Sequence, residues 1–173
     1  VSTHEIIDDE VARSAGANQF KVSFDQLMNK ITQSDWARQN MLLAVAGGEK
    51  DGTAGLRDPD GSFAALRKQI ERSAHLVFSS NPNQVKFWSG DGVAPVAELE
   101  REYGGLKPCL HGSDAHCIEK VGVPDDERYC WIKGDLAFEA LHQACIEPKE
   151  RVSIGAKPPR GSLPISGVSI ACC

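Results

Sequence analysis

Two side chains able to bind a metal ion stand two positions apart near the middle of the chain. In the segment His111-Gly112-Ser113-Asp114-Ala115-His116, one residue separates the carboxylate of Asp114 from the imidazole of His116. In an extended backbone, residues two apart project to the same side, so both groups would face one ligand. A carboxylate beside an imidazole suits zinc, manganese or iron. The spacing by itself also fits a histidine that only hydrogen-bonds a turn.

Three further residues are candidates for the same site. Glu49 and Asp51 follow a continuous apolar run, Met41–Ala46, and either could be a ligand or part of a solvated polar loop. His111 precedes the glycine of the motif, where it could be an additional ligand, a donor that orients another ligand, or a structural histidine.

The elements that must position these residues alternate along the chain. Ser23 can cap a helix with apolar residues at helical spacing, and further helices are predicted around 63–74 and 96–103. Short apolar runs at 41–46, 75–79 and 106–110 predict buried strands between them. This alternation predicts an α/β fold with a parallel sheet, either open or part of a barrel. Active sites in such folds lie beyond the carboxyl ends of the strands, where the Asp114 motif falls.

The remainder of the chain predicts a shorter second region. Tyr129–Ile132 is a candidate fourth strand, and Asp135 is placed to cap a helix that ends at Glu147-Pro148. The stretch from Lys157 to Gly161 has the composition of a linker.

Composition restricts the class of protein. The chain has 173 residues, 41% hydrophobic and 25% charged, with a net charge of −5, values typical of one soluble globular domain. We therefore exclude collagen, coiled coil and disorder. No membrane span is predicted, because apolar runs are far shorter than the 18 or so residues required. Acidic residues near the start argue against a secretory signal, so a cytoplasmic protein with six reduced cysteines is expected.

The motif Gly112-Ser113-Asp114-Ala115-His116 resembles the final metal-binding motif of the PHP (polymerase and histidinol phosphatase) superfamily. The longer stretches LKPCLHGSDAH at 106–116 and RYCWIKGDLAFEALHQ at 128–143 resemble the PHP portion of TrlF-type ATPases, in which a PHP domain precedes an AAA-like or SMC-like ATPase. The resemblance extends from about Phe20, through residues 75–90, to about Pro159.

This resemblance implies a distorted β/α barrel that holds two or three divalent metal ions and hydrolyses phosphoesters. Asp114 and His116 would be metal ligands and catalytic residues, and a metal-bound hydroxide would be the nucleophile. Nucleic acid is the expected substrate, which would make the protein a nuclease, and the ATPase domain of a longer parent chain is the expected partner. A homo-oligomer is left open.

One family feature is missing from the sequence. No His-x-His occurs anywhere in it, although that motif opens PHP domains. Residues 1–156 are therefore interpreted as the carboxy-terminal part of a PHP-like domain, a partial barrel, and residues 157–173 as a linker and the start of an ATPase domain. The alternative is a non-catalytic PHP-like scaffold or binding module with an incomplete metal site. A cysteine nucleophile, Cys117 beside His116, is a third hypothesis.

Overall fold

The protein is described by a computed structural model in which residues 9–19, 22–47 and 63–160 are placed. The helices are α1 (Asp9–Gln19), α2 (Phe24–Gln33), α3 (Asp35–Asn40), α4 (Ala64–Ser73), α5 (Pro82–Trp88), α6 (Val96–Tyr103), α7 (Phe138–Ile146) and α8 (Pro148–Arg151). The strands are β1 (Ala44–Ala46), β2 (Leu76–Phe78), β3 (Cys109–Leu110), β4 (Tyr129–Ile132) and β5 (Val152–Gly155).

The first three strands form one parallel sheet in the order β1-β2-β3. Val77 of β2 lies opposite Val45 of β1 and Cys109 of β3, so all three strands end at the same edge. The predicted α/β fold with a parallel sheet is therefore confirmed. The helices α3, α5 and α8 were not predicted. Ser34 caps α3 and Asn81 caps α5, through hydrogen bonds from Ala37 N and Asn83 N.

Local sequence signals account for the helix ends that were predicted. Ser23 caps α2, since its hydroxyl accepts a hydrogen bond from Gln26 N. Gly104 ends α6 at φ 78°, a left-handed conformation that costs glycine little because it lacks Cβ. Here the local chemistry and the tertiary structure agree.

The hydrophobic core lies against the parallel sheet. Val77 and Leu99 are the largest fully buried side chains, and Trp88 is 2% exposed. The rings of Phe87, Trp88 and Tyr103 meet edge to face, with centroids 4.9 to 5.7 Å apart. Trp88 is therefore a core residue and is not available to stack on a base.

The fourth predicted strand is in a different sheet. β4 has its predicted bounds, but it pairs antiparallel with β5 in a two-stranded sheet, with Cys130 opposite Ile154. Trp131 strengthens the pairing by donating its indole N–H to the carbonyl of Gly155 at 2.8 Å. A four-residue apolar run suits either kind of sheet, so the sequence could not choose its partner.

The predicted cap of α7 is wrong. The helix begins at Phe138, and Ala137 occupies the capping position without a side-chain hydrogen bond. Asp135 lies in a tight backbone turn, because its carbonyl accepts a hydrogen bond from Ala137 N at 2.8 Å. That turn moves the start of the helix beyond the reach of the carboxylate. The predicted end of the helix at Glu147-Pro148 is confirmed.

The chain forms two compact units, Val1–Met41 and Leu42–Cys173. In the first unit, α2 and α3 contact each other; the second unit contains both sheets. No closed barrel is formed by the strands of the described residues. The boundary that the sequence predicts after residue 156 stays a prediction, since residues 161–173 lie outside the described part.

Among the placed residues, no helix is both long enough and apolar enough to cross a lipid bilayer.

Candidate functional site

The carboxyl edge of the parallel sheet is where the predicted site residues fall. Hydrogen bonding continues past the strand ends: Gly47 N donates to Phe78 O, and Ser79 N donates to Leu110 O, both at 2.9 Å. His111 follows Leu110 directly and begins the motif. The sheet therefore delivers the motif to the edge at which parallel α/β folds bind their ligands.

His111 has one ring nitrogen whose hydrogen-bonding capacity is unused. Nδ1 lies 2.9 Å from the carbonyl oxygen of Gly112. Because a carbonyl can only accept, Nδ1 is the donor in this bond, which leaves a lone pair on Nε2. Nε2 is buried and has no hydrogen-bond partner among the residues that the structure describes. A histidine that ligates a metal ion has this arrangement: one nitrogen is fixed by a backbone carbonyl and the other is an open donor of electrons.

Asp114 and His116 lie in the loop after β3, and both are exposed. Asp114 has φ 49°, in the left-handed region that aspartate tolerates better than most residues. The backbone is therefore not extended at Asp114. The expectation that Asp114 and His116 project to the same side assumed an extended backbone, so it does not apply here. The loop is fastened at Ser113, whose hydroxyl accepts a hydrogen bond from Gly122 N at 3.2 Å.

Only some of the candidate metal ligands lie among the residues that the structure describes. Within the ranges 9–19, 22–47 and 63–160, no three side chains of His, Cys, Asp or Glu are grouped so that they could share a metal ion. The predicted ligand Glu49 and the candidate Asp51 lie outside the described residues. Among the described residues, Nε2 of His111 has a free lone pair that could bind a metal ion. Asp114 and His116 follow His111 on the same loop.

Cysteines lie close to His111 on its buried side. The backbone of His111 hydrogen-bonds Cys130 of β4, and burial raises the pKa of that thiol. Burial also raises the pKa of Cys109 to about 12, with a smaller contribution from Cys130. Cys109, Cys117, Cys130 and Cys145 are all free thiols. Since the two buried thiols stay protonated at neutral pH, they suit packing better than nucleophilic attack or metal binding.

Arg128 also reaches this edge, although no sequence pattern had marked it as a functional residue. Its Nη1 donates to the carbonyl of Ser80, in the loop after β2, at 3.3 Å. Its Nη2 lies 3.1 Å from Oδ2 of Asp126. The available signal was weak, because Arg128 is a basic residue directly before a predicted strand. Its hydrogen bond to Ser80, 48 residues earlier in the sequence, places it beside the loop that follows β2.

Another cluster of polar side chains lies at the opposite, amino end of the sheet. His75 Nδ1 accepts a hydrogen bond from Leu43 N at 3.0 Å. Lys107 is 6% exposed, donates to the carbonyl of Ala74, and lies 6.0 Å from the ring centroid of Trp88. These contacts tie together the starts of the three strands, so we assign the cluster a structural role.

The comparisons with known proteins do not identify a family for this chain. No protein-family model matches it, and no curated protein or solved structure matches it. The functional assignment consequently depends on the residues at the carboxyl edge and on the motif that they form.

Proposed function

We propose that this chain is part of a PHP-type metal-dependent phosphoesterase whose site lies at the carboxyl edge of the parallel sheet. One observation carries the proposal. His111 Nε2 is buried without a hydrogen-bond partner while Nδ1 is held by the carbonyl of Gly112, directly before Asp114 and His116. A buried acceptor without a partner is costly in a folded protein, and a bound metal ion would remove that cost.

The order of the strands supports the barrel part of the proposal. β1, β2 and β3 are neighbours in chain order and run parallel. Consecutive strands are neighbours throughout a β/α barrel, and also within one half of an open doubly wound sheet, up to its switch point. The strand order therefore agrees with a barrel, and the resemblance to PHP domains is what favours part of a distorted β/α barrel over an open sheet.

Each residue of the motif has a proposed part in the reaction. His111 would bind the metal ion through Nε2, with its ring orientation set by the carbonyl of Gly112. Asp114 and His116 would complete the loop's contribution, and their exposure leaves them open to a phosphoester arriving from solvent. A divalent metal ion supplies charge neutralisation of the phosphate and a lower pKa for an attacking water. Glu49, three residues after the end of β1 in the sequence, is the proposed further ligand.

The resemblance to TrlF-type ATPases extends the proposal to nucleic acid as the phosphoester and to an ATPase domain as the partner. Hydrolysis of labelled DNA and RNA in the presence of manganese measures the first. Hydrolysis of a small phosphodiester without cleavage of either nucleic acid would contradict that choice of substrate.

Metal content tests the proposed function directly. Elemental analysis of the purified full chain, with hydrolysis of bis(p-nitrophenyl) phosphate under added manganese, should show bound metal and turnover. Both should be lost in His111→Gln and in the double variant Asp114→Ala, His116→Ala, because each removes proposed ligands. His142→Gln is the control, since His142 is exposed on α7.

The outcomes separate the catalytic hypothesis from its alternative. Metal and turnover that persist in the ligand variants would place the site elsewhere in the chain. A folded wild-type chain with neither metal nor turnover would contradict the catalytic proposal and favour the non-catalytic scaffold.

A further inference from the structure

Arg128 connects two segments at the carboxyl edge. Its Nη1 donates to Ser80 O at 3.3 Å, and its Nε donates to Asp125 O at 3.5 Å. Phe78 of β2 and Leu110 of β3 are register partners in the sheet. Ser80 and Gly112 each follow this pair by two residues. Adjacent strands are about 4.8 Å apart. The guanidinium group of Arg128 therefore lies at the loop after β2, the strand that neighbours the one leading into the motif.

A second contact places the same region beside His111. The hydrogen bond between the His111 backbone and Cys130 joins β4 to the residue that begins the motif. Cys130 is only two residues from Arg128 in the sequence. Two independent contacts, one from Arg128 and one from Cys130, thus bring this segment to the candidate site.

The guanidinium group of Arg128 has N–H groups to spare. A guanidinium carries five N–H donors, in a fork that matches the oxygen atoms of a phosphate. The hydrogen bonds to Ser80 and Asp125 occupy one N–H of Nη1 and the N–H of Nε, and Nη2 forms an ion pair with Asp126 at 3.1 Å. The side chain is 31% exposed, so a ligand can reach the remaining N–H groups from solvent.

We propose that Arg128 binds the phosphoryl group of the substrate through two nonbridging oxygens, and that Asp126 competes with that group for Nη2. This inference rests on the proposed function, because it names the group that recognises the phosphoester. It defines the substrate class as a phosphoester with at least two free phosphoryl oxygens, which includes both monoesters and diesters. Arg128 is then a binding residue, and Asp126 limits how tightly the free protein holds an anion.

Inorganic phosphate is the probe, titrated into the full chain at low salt and followed by ³¹P NMR or calorimetry. Arg128→Gln retains a donor for Ser80 but removes the charge, and it should weaken phosphate binding about tenfold or more, as expected for loss of a charge-assisted bidentate contact. Arg128→Lys retains the charge and should recover part of the affinity. A merely structural role for Arg128 predicts no such recovery by lysine.

Asp126→Asn gives a test that does not depend on removing Arg128. Releasing Nη2 from the carboxylate should tighten phosphate binding about threefold, the size expected for an exposed ion pair. The backbone should tolerate the change, because Asp126 has φ 56° and asparagine readily adopts that conformation. Asp125→Asn is the matched control, since it removes the same charge one position earlier and its carboxylate lies 3.9 Å from Lys120 instead.

The results separate this inference from the proposed function. Phosphate binding that is absent, or unchanged in Arg128→Gln, overturns the role of Arg128 even if metal and turnover are found. Equal gains in Asp126→Asn and Asp125→Asn would show a general charge effect and would overturn the competition. Phosphate binding that depends on Arg128, in a chain without metal or turnover, supports the anion site and contradicts the phosphoesterase.

Discussion

His75 and His111 show how the same side chain takes opposite roles at the two ends of the sheet. His75 Nδ1 accepts a backbone N–H, from Leu43, whereas His111 Nδ1 donates to the carbonyl of Gly112. The partner of one ring nitrogen determines which tautomer is present and therefore what the other nitrogen can do. At His75 the result is a structural tie, and at His111 it is a buried lone pair on Nε2.

His75 makes the stability of the protein depend on pH. Partial burial lowers its pKa below the usual 6.5, with smaller contributions from the nearby positive charges of Lys107 and His142. Because the folded state disfavours the charged ring, this stabilisation is complete above about pH 6.5 and is lost as the pH falls towards the lower folded-state pKa. Protonation of Nδ1 would also break the hydrogen bond from Leu43 N.

His75→Asn tests this prediction by urea unfolding at pH 7.5 and 5.5. Asparagine can retain an acceptor for Leu43 N but does not titrate, so the variant should lose less stability than the wild type on acidification. His142→Asn removes only one of the smaller contributions to the lowered pKa of His75, so it should lose nearly as much stability as the wild type. Parallel losses in wild type and His75→Asn would contradict the assignment.

Among the elements, α6 depends most clearly on a single side chain. The helix is defined at its end by Gly104 and attached to the core by Leu99, which is 0% exposed. By contrast, Leu136 precedes α7 and is 69% exposed. Two leucines of the same sequence therefore occupy opposite environments, a difference that depends on tertiary packing.

Leu99→Ala should lower the free energy of unfolding by about 2–5 kcal/mol, because it leaves a cavity in the core. Leu136→Ala makes the same chemical change at an exposed site and should alter stability by less than about 0.5 kcal/mol. Urea denaturation of both variants measures the difference. Similar losses at the two positions would contradict the core described for the second unit.

At the scale of the whole molecule, the core belongs to the unit Leu42–Cys173. Its buried members extend from Val45 to Cys109, and Ile154 packs against them. Residues 1–156 were predicted to form one region, because the helix that begins after Ser23 and the strand that follows it belong to one continuous alternation of helices and strands. The division after Met41 follows from tertiary contacts and has no compositional marker.

Residues 42–173 alone should fold cooperatively, because they contain this core and both sheets. Thermal unfolding followed by circular dichroism should give a single sigmoidal transition for the shortened chain. The full-length chain is the reference. A broad, gradual loss of signal from residues 42–173 would show that residues 1–41 are needed to complete the core.

Local sequence patterns predicted the elements whose signals lie within a few residues. Ser23 begins α2, Gly104 ends α6, and the short apolar runs before Gly47 and around Val77 became parallel strands. The strands are shorter than predicted. Met41, for example, caps the end of α3, and β1 begins only at Ala44. Side-chain chemistry within one turn, or along one apolar run, is enough to determine such features.

The candidate site was predictable only in part, because sequence patterns report interactions between near neighbours in the chain and not contacts between distant segments. The motif from His111 to His116 is contiguous, so its residues and its position after a strand could be read from the sequence. The free lone pair on His111 Nε2, the left-handed backbone of Asp114 and the position of Arg128 could not. Each depends on groups that are distant in sequence or on a backbone angle that no spacing rule determines.

By itself, the sequence determined the α/β class, the parallel sheet and the position of the loop that carries the proposed metal-binding motif. Only the tertiary structure decided that β4 pairs with β5 in a separate sheet and that Arg128 contacts Ser80. Helix caps and apolar periodicity act between near neighbours in the chain, so the sequence displays them directly. Strand partners and the burial of single polar atoms depend on contacts between distant segments, and these exist only after the chain has folded.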